Sequence, residues 1–160
     1  MVQSGPPPKI RRARPGDTPE IADLVVRIKK LNNEFDPLFQ VSEDLRSTAA
    51  KYVSETFGKP DKLMLVAEEV GKVVGVLRAE LRRRSFYEPS SEGFITEFYI
   101  LPEFRRKALG HEILNKASAE LKKMGAQIIV ADVPSQNEIA VRFYTKRGFR
   151  SLVQHMGKKP

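Results

Sequence analysis

The amino-acid sequence predicts an α/β protein in which one mixed sheet is covered by helices, in the order βααβββαβαβ. Two observations support this class. Apolar residues recur three and four positions apart in two long segments, which is typical of helices that bury one face. Between the helical segments lie short runs rich in branched and aromatic residues, which favour strands. The 160 residues are 41% hydrophobic and 30% charged, as expected for one globular domain.

The N-terminal part begins with a Pro-rich stretch over residues 1–8, which we expect to be a flexible tail. A single domain is expected over residues 9–160. Its first strand ends at Pro15-Gly16, because these residues favour a turn. The helix that follows has an apolar face formed by Ile21, Leu24, Val25, Ile28 and Leu31.

The next elements are a second helix and a hairpin. The helix is expected at about residues 43–57, since Gly58 and Pro60 follow it and end helices. The run KLMLVAEEVGKVVGVLRAEL contains two apolar segments around Val70-Gly71-Lys72, which predicts two strands joined by a tight turn. A polar loop, RRRSFYEPSSEG, leads to the strand FITEFYIL.

The C-terminal part returns to helical spacing. A helix is predicted from about Ala108 to Met124. The run AQIIVADV is apolar enough to predict a strand inside the sheet. A short helix then ends at Gly148, and RSLVQHM is expected to form the last strand.

Charge and composition limit the function classes. The net charge is +8, which favours an anionic ligand or partner. The chain has no cysteine, which excludes disulfides, thiolate metal sites and cysteine nucleophiles. It has two histidines without a carboxylate pattern, so no metal site is predicted. Because neither a signal peptide nor a membrane-spanning run is recognised, we expect a cytoplasmic protein without a membrane partner.

One basic turn stands directly before the third long helix. Arg105, Arg106 and Lys107 precede Ala108, Leu109 and Gly110. The start of a helix exposes unpaired N–H groups and the positive end of its dipole, which favours a phosphate group. A solvated basic loop that only connects a strand to a helix is the alternative.

A second block follows the predicted inner strand. It has the form Asn-x-x-Ala-x-x-Phe-Tyr-x-x-x-Gly-Phe, from Asn137 to Phe149. Together with the turn RRKALG, this block resembles the GNAT superfamily of acyl-CoA-dependent N-acetyltransferases. The resemblance covers about residues 9–156 and implies a mainly antiparallel central sheet. The sequence departs from the family pattern at Ala108, where the family has glycine.

The resemblance implies an N-acetyltransferase that moves an acetyl group from acetyl-CoA to a primary amine by direct attack in a ternary complex. In the family, a bulge in the fourth strand frees backbone groups for the pantetheine arm, here at about Tyr99, Ile100 and Leu101. The pyrophosphate would bind the amides of residues 105–110, and Asn137 matches a residue near the cofactor arm.

Two residues are candidates for proton transfer. Glu97 lies in the apolar strand before the basic turn and is the candidate general base; a structural ion pair and a ligand for a cationic substrate are its alternatives. Tyr144 matches the tyrosine that often protonates the leaving CoA thiolate; a core aromatic is its alternative. In similar enzymes the link between the first two helices borders the acceptor site, so Glu34 and Asp36 are candidates for binding a cationic amine; solvated acids at a helix terminus are the alternative.

Three function classes stay open at this point. The first is the acetyltransferase, with a protein amine or a small-molecule amine as acceptor and with a homodimer as one expected state. The second is a basic nucleic-acid-binding module, which the clusters RRAR, RRR and RRK suggest but no recognised motif supports. The third is a non-catalytic acyl-CoA sensor.

Overall fold

The strands form one sheet, and its register decides where the candidate site lies. The computed structural model describes residues 8–105 and 108–160. The strands lie side by side in chain order, and every neighbouring pair is antiparallel except the last, which is parallel. The expected mixed, mainly antiparallel sheet is therefore confirmed. Its strands are β1 (Lys9–Arg12), β2 (Lys62–Glu69), β3 (Lys72–Arg83), β4 (Ser91–Ile100) and β5 (Ile128–Ala131).

Helices cover both faces of this sheet. The helix α1 packs on α2, β3 and β4, whereas α3 packs on β2, β3 and β4. Residues 73–79 of β3 are buried without a break, because successive side chains enter the cores on opposite faces. The helices are α1 (Thr18–Phe35), α2 (Leu45–Ser54), α3 (Leu109–Lys123) and α4 (Glu138–Thr145).

The predicted hairpin between β2 and β3 is present, and its turn has two residues, Val70 and Gly71. Val70 and Gly71 both have positive φ, at 49° and 76°. This combination is typical of a type I′ turn, whose twist matches that of the two flanking strands.

Two expectations for the C-terminal part are wrong. The strand β5 has only four residues and lies at the edge of the described sheet, not inside it. Residues 150–156 form no strand: they are irregular, and Leu152, Val153 and Met156 are exposed. Because Leu152 and Val153 are adjacent, they cannot both face one side of a strand, and this segment lacks the alternation that would fix it on a sheet.

Some expectations fall outside the described residues. This holds for the tail over residues 1–8, except Pro8, and for Arg106 and Lys107 in the basic turn.

Candidate active site

A bulge in β4 determines which face of the sheet Glu97 occupies. Arg78 of β3 is paired with Glu97 and Ala79 with Ile95, so Thr96 is the extra residue. Before the bulge, Gly93 packs against Leu121 of α3. Strict alternation would place Glu97 on that same face. The extra residue reverses the alternation, so Glu97 lies on the face covered by α1 and α2.

The same bulge marks the point where β4 and β5 separate. The pairing of the two strands ends at Ile95 and Ala131, apart from a 3.4 Å bond from Asp132 N–H to Ile95 O. Among the strands of residues 8–105 and 108–160, only β3 pairs with β4 beyond Thr96, as far as Ile100. A gap between β4 and β5 therefore opens directly after the bulge.

The register shows which backbone groups face this gap. The Leu101 N–H donates to Val74 O at 2.9 Å, so this residue points toward β3. Because successive residues of an antiparallel ladder alternate in direction, Tyr99 also points toward β3, whereas Phe98 and Ile100 point into the gap. The expectation of a free backbone amide is thus wrong for Leu101 and, by register, for Tyr99. The expectation agrees with the direction of Ile100. Phe98 also points into the gap, and the sequence did not predict this.

The first turn of α3 lies beside the end of β4. Ala108 precedes this helix with φ −100°, a backbone conformation that alanine adopts without strain. Gly110 packs closely on α4, because an added Cβ would lie 3.1 Å from the Phe143 ring. Leu109 is buried. The helix therefore accepts alanine at the first family glycine, whereas a side chain at the second would require Phe143 to shift by a few tenths of an ångström.

Arg105 is attached to the end of β4. Its Nε donates to Ile100 O at 2.6 Å, and its guanidinium lies 4.9 Å from the centre of the Tyr99 ring. The Ile100 carbonyl group at the gap is therefore already hydrogen-bonded to Arg105. The Arg105 side chain stays exposed beside the start of α3.

Glu97 is 5% exposed and is held by groups from three elements. Tyr52 of α2 donates its hydroxyl to Oε1 at 2.6 Å, and Lys29 of α1 binds Oε2 at 3.3 Å. The Arg78 guanidinium of β3 lies 4.0 Å from Oε1. Burial raises the pKa of the Tyr52 phenol above its ordinary value, and the Glu97 charge raises this pKa further. Tyr52 therefore stays protonated and donates to Glu97.

Arg78 is fixed from several sides. Its Nε donates to Thr56 at 2.8 Å, and its Nη1 donates to the hydroxyl of the bulge residue Thr96 at 2.9 Å. The arginine thus connects the turn after α2 to the bulge and keeps a positive charge beside Glu97.

Tyr144 belongs to an aromatic cluster on the other face of β4. Its ring lies 5.3 Å from Phe143 and 5.1 Å from Phe149, and Phe143 lies 5.6 Å from Phe98. Tyr144 is 9% exposed, and within residues 8–105 and 108–160 no hydrogen bond to its hydroxyl is found. Burial raises the pKa of this phenol. Phe143 and Tyr144 both face inward, because the first packs on Gly110 and Phe98 and the second packs between Phe143 and Phe149.

Asn137 has a structural role at the start of α4. Its Oδ1 accepts a hydrogen bond from Ala140 N at 3.1 Å, which caps the helix. The spacing of Asn137 and Ala140 is thus explained by the helix cap, and contact of Asn137 with a cofactor stays a prediction.

Glu34 and Asp36 do not join the Glu97 cluster. Both are exposed, and Asp36 Oδ1 accepts from Leu38 N at 2.8 Å, which caps a short 3-10 turn. A cavity of about 210 Å³ lies nearby, at the junction of α1, this turn and α2. Neither acid lines it; its lining residues are Lys29, Asn32, Phe39, Gln40, Val41 and Leu45.

Sequence reasoning missed the partners of Glu97, although the sequence contains a signal for two of them. Lys29 stands four residues after Val25 and so continues the buried stripe of α1 with a cation. Arg78 interrupts the apolar run of β3. A charged residue at a core position is usually paired, so both positions pointed to a buried acid.

Two of the three basic clusters that suggested nucleic-acid binding are partly paired with acids. Arg11 binds Asp17 and Glu68, and Arg12 binds Glu120 at 2.6 Å. In the second cluster, Arg82 binds Glu80 at 2.8 Å and Arg84 lies 3.7 Å from Glu92. These pairs reduce the positive charge that is free to meet phosphates.

Two kinds of feature are absent from the described residues. No helix among them is long and apolar enough to cross a membrane. No group of at least three His, Cys, Asp or Glu side chains among residues 8–105 and 108–160 is arranged to hold a metal ion.

Comparison with known proteins identifies the family. Residues 25–149 match the model of the acetyltransferase (GNAT) family. An uncharacterised N-acetyltransferase of Archaeoglobus fulgidus is 26% identical over 89% of this chain and 92% of its own length. An uncharacterised N-acetyltransferase of Methanocaldococcus jannaschii is 33% identical over 52% of this chain, which spans only 37% of that relative.

A solved structure agrees in fold. An aminoglycoside N-acetyltransferase in complex with CoA superimposes with a TM-score of 0.74, covering 100% of this chain and 99% of its own. At 15% identity this likeness supports the fold alone. Since the family model covers most of the chain, the protein belongs to the acetyltransferase (GNAT) family, a family of acyltransferase enzymes.

Proposed function

We propose that this protein transfers an acetyl group from acetyl-CoA to a primary amine by direct attack of the amine on the thioester. The observation that carries this proposal is the gap between β4 and β5. It presents the backbone groups of Phe98 and Ile100 directly beside the buried carboxylate of Glu97. Unpaired groups on a strand edge can bind an extended, amide-containing chain such as pantetheine in the way another strand would.

The start of α3 supplies the second half of the donor site. Its first N–H groups have no partner within the helix, and they favour an anion such as a pyrophosphate. Arg105 adds a positive charge at the same end of the gap. The CoA bound to the structural neighbour supports this assignment for the fold.

Glu97 acts on the acceptor amine. A primary amine has a reference pKa of about 10.4 and so arrives protonated at neutral pH. The carboxylate accepts that proton directly or through water, after which the neutral amine can attack. The hydrogen bond from Tyr52 and the charge of Arg78 keep Glu97 oriented.

Tyr144 acts on the leaving group. Burial raises the pKa of its phenol, so the hydroxyl is protonated throughout the neutral range. It can therefore give a proton to the CoA thiolate. Its position on α4, next to the aromatic residues that reach Phe98, supports this role.

The acceptor is a primary amine on a small molecule or on a protein. The named activity of the structural neighbour favours a small molecule. Lys29, which binds Glu97, also lines the cavity between α1 and α2, where an amine could bind.

Two measurements test this function. CoA should raise the melting temperature of the full chain, whereas RNA or DNA at moderate salt should not. A panel of amines should then identify acceptors by release of free thiol from acetyl-CoA. The proposal fails if CoA has no effect at millimolar concentration. The assignment of Tyr144 fails if the Tyr144→Phe variant keeps at least half of the wild-type rate at every pH.

A further inference from the structure

We propose that Lys29 is itself an acetyl acceptor, so that the enzyme acetylates its own chain at this side chain. The proposal rests on the proposed function, because it needs acetyl-CoA bound beside Glu97. It adds a modification site on α1 that is separate from turnover of an external amine.

Lys29 already occupies the position that an acceptor amine needs. Its Nζ lies 3.3 Å from Glu97 Oε2, close to the distance required between an amine and its general base. Glu97 is the buried acid at the bulge where β4 opens. The amine is therefore next to both the base and the open half of β4.

The other groups on Glu97 cannot take this role. Arg78 is held by Thr56 and Thr96, and a guanidinium stays protonated in proteins. Tyr52 donates its hydroxyl to Oε1, and its raised pKa keeps it from ionising to a nucleophile. Among the described groups bound to Glu97, Lys29 alone becomes a strong nucleophile by losing one proton.

Lys29 also has room to move. Its side chain is 39% exposed, and it lines the cavity of about 210 Å³ between α1 and α2. A lysine side chain has a flexible four-carbon stem, so its amine can shift from Glu97 toward the gap.

The reaction conserves atoms and charge. The Lys29 ammonium loses one proton to Glu97, which passes it to solvent. The neutral amine forms a C–N bond with the thioester carbonyl carbon, and the C–S bond breaks. The nitrogen then loses its second proton, and the thiolate takes up one proton and leaves as CoA. The products are acetylated Lys29, free CoA and one proton.

Acetylation has a direct consequence at the site. The acetyl group removes the charge of Lys29 and ends its ion pair with Glu97. Tyr52 and Arg78 then still hold Oε1, whereas Oε2 loses its partner and is free for an external amine.

The experiment uses the full chain and isotopically labelled acetyl-CoA, with the labelled sites located by peptide mass spectrometry. Lys30 is the matched control, because it is the next residue, is exposed and reports chemical acetylation. We expect label at Lys29 to exceed label at Lys30 by roughly tenfold or more, at a rate independent of protein concentration. Glu97→Gln should lower labelling of Lys29 by on the order of a hundredfold and leave Lys30 unchanged.

A second variant and a parallel assay keep the outcomes distinct. Lys30→Arg should leave labelling of Lys29 unchanged, and circular dichroism checks that every variant is folded. Equal labelling of the two lysines, or a rate that rises with protein concentration, overturns the proposal. If external amines are acetylated while Lys29 stays unlabelled, only this inference fails. If CoA does not stabilise the chain either, the proposed function fails with it.

Discussion

The two halves of β4 differ although they belong to one continuous strand. The first half, residues 91–95, is paired with β3 on one edge and β5 on the other, and Gly93 packs closely on α3. The second half, residues 96–100, is paired with β3 alone and contains the buried Glu97. One extra residue, Thr96, separates the half that is packed between its neighbours from the half that borders the gap and contains the candidate catalytic acid. Substitutions in each half of β4 test this difference.

The largest effect is expected in the open half. Glu97→Gln keeps the size of the side chain but removes the base, so kcat/KM should fall by about two to three orders of magnitude, or roughly 3–4 kcal/mol. Steady-state kinetics with the best amine of the panel measures this. Glu92→Gln is the matched control, because it makes the same change in the paired half and should leave the rate unchanged. A higher KM at unchanged kcat would instead make Glu97 a ligand for the acceptor.

The next effect is expected in the paired half. Gly93→Val should lower the free energy of unfolding by about 1–3 kcal/mol, because even the first added carbon would lie 2.8 Å from Leu121. Urea denaturation measures the change. The same substitution at Gly16, where an added Cβ meets nothing within 4 Å, should change it by less than about 0.5 kcal/mol. Equal losses at both glycines would show that close packing does not distinguish the first half.

The pH dependence of stability tests the burial of Tyr144, whose aromatic cluster lies beside the open half of β4. Burial raises the pKa of Tyr144, whereas the unfolded chain ionises this phenol near its reference pKa of 10.0. The folded state therefore binds the proton more tightly, and its stability is complete below about pH 10 and falls as pH rises. The free energy of unfolding should fall by up to about 1.4 kcal/mol per pH unit because of this group. Chemical denaturation between pH 8 and about 11 measures this loss of stability. The Tyr144→Phe variant should lose less unfolding free energy over this range, whereas Tyr87→Phe, at an exposed position, should behave like the wild type.

The smallest effect is expected at the start of α4. Asn137→Ala removes the helix cap and should cost about 1 kcal/mol of unfolding free energy, whereas Asn137→Ser should restore most of it. Thermal unfolding measures both variants. An unchanged stability with a weaker affinity for CoA would make Asn137 a cofactor ligand, as the family resemblance implies, and not a cap.

The sequence predicted the elements better than it predicted the site. The spacing of apolar residues was enough for the first and third helices, and the two apolar runs around Val70-Gly71-Lys72 were enough for the hairpin. It could not predict that β5 would be an edge strand or that residues 150–156 would stay irregular, because apolar content does not say which strands meet.

Within the site, the bulge is the feature that local patterns could not place. Glu97 was recognisable as an acid in an apolar strand, but its face depends on Thr96, and the family resemblance gave only the presence of a bulge. The same shift in register decides that Phe98 and Ile100, not Tyr99 and Leu101, face the gap. Lys29 and Tyr52 reach Glu97 from two helices that are distant in sequence, and only the packed structure brings them together.

The most direct test of the open half is amide hydrogen exchange, followed by NMR on the full chain with and without CoA. The backbone N–H groups of Phe98 and Ile100 should exchange more slowly when CoA is bound. Tyr99 and Leu101, which already point toward β3, should exchange at the same rate in both states. Slowing at Tyr99 and Leu101 without change at Phe98 and Ile100, or no slowing anywhere in residues 96–100 at saturating CoA, would contradict the role given to the open half of β4.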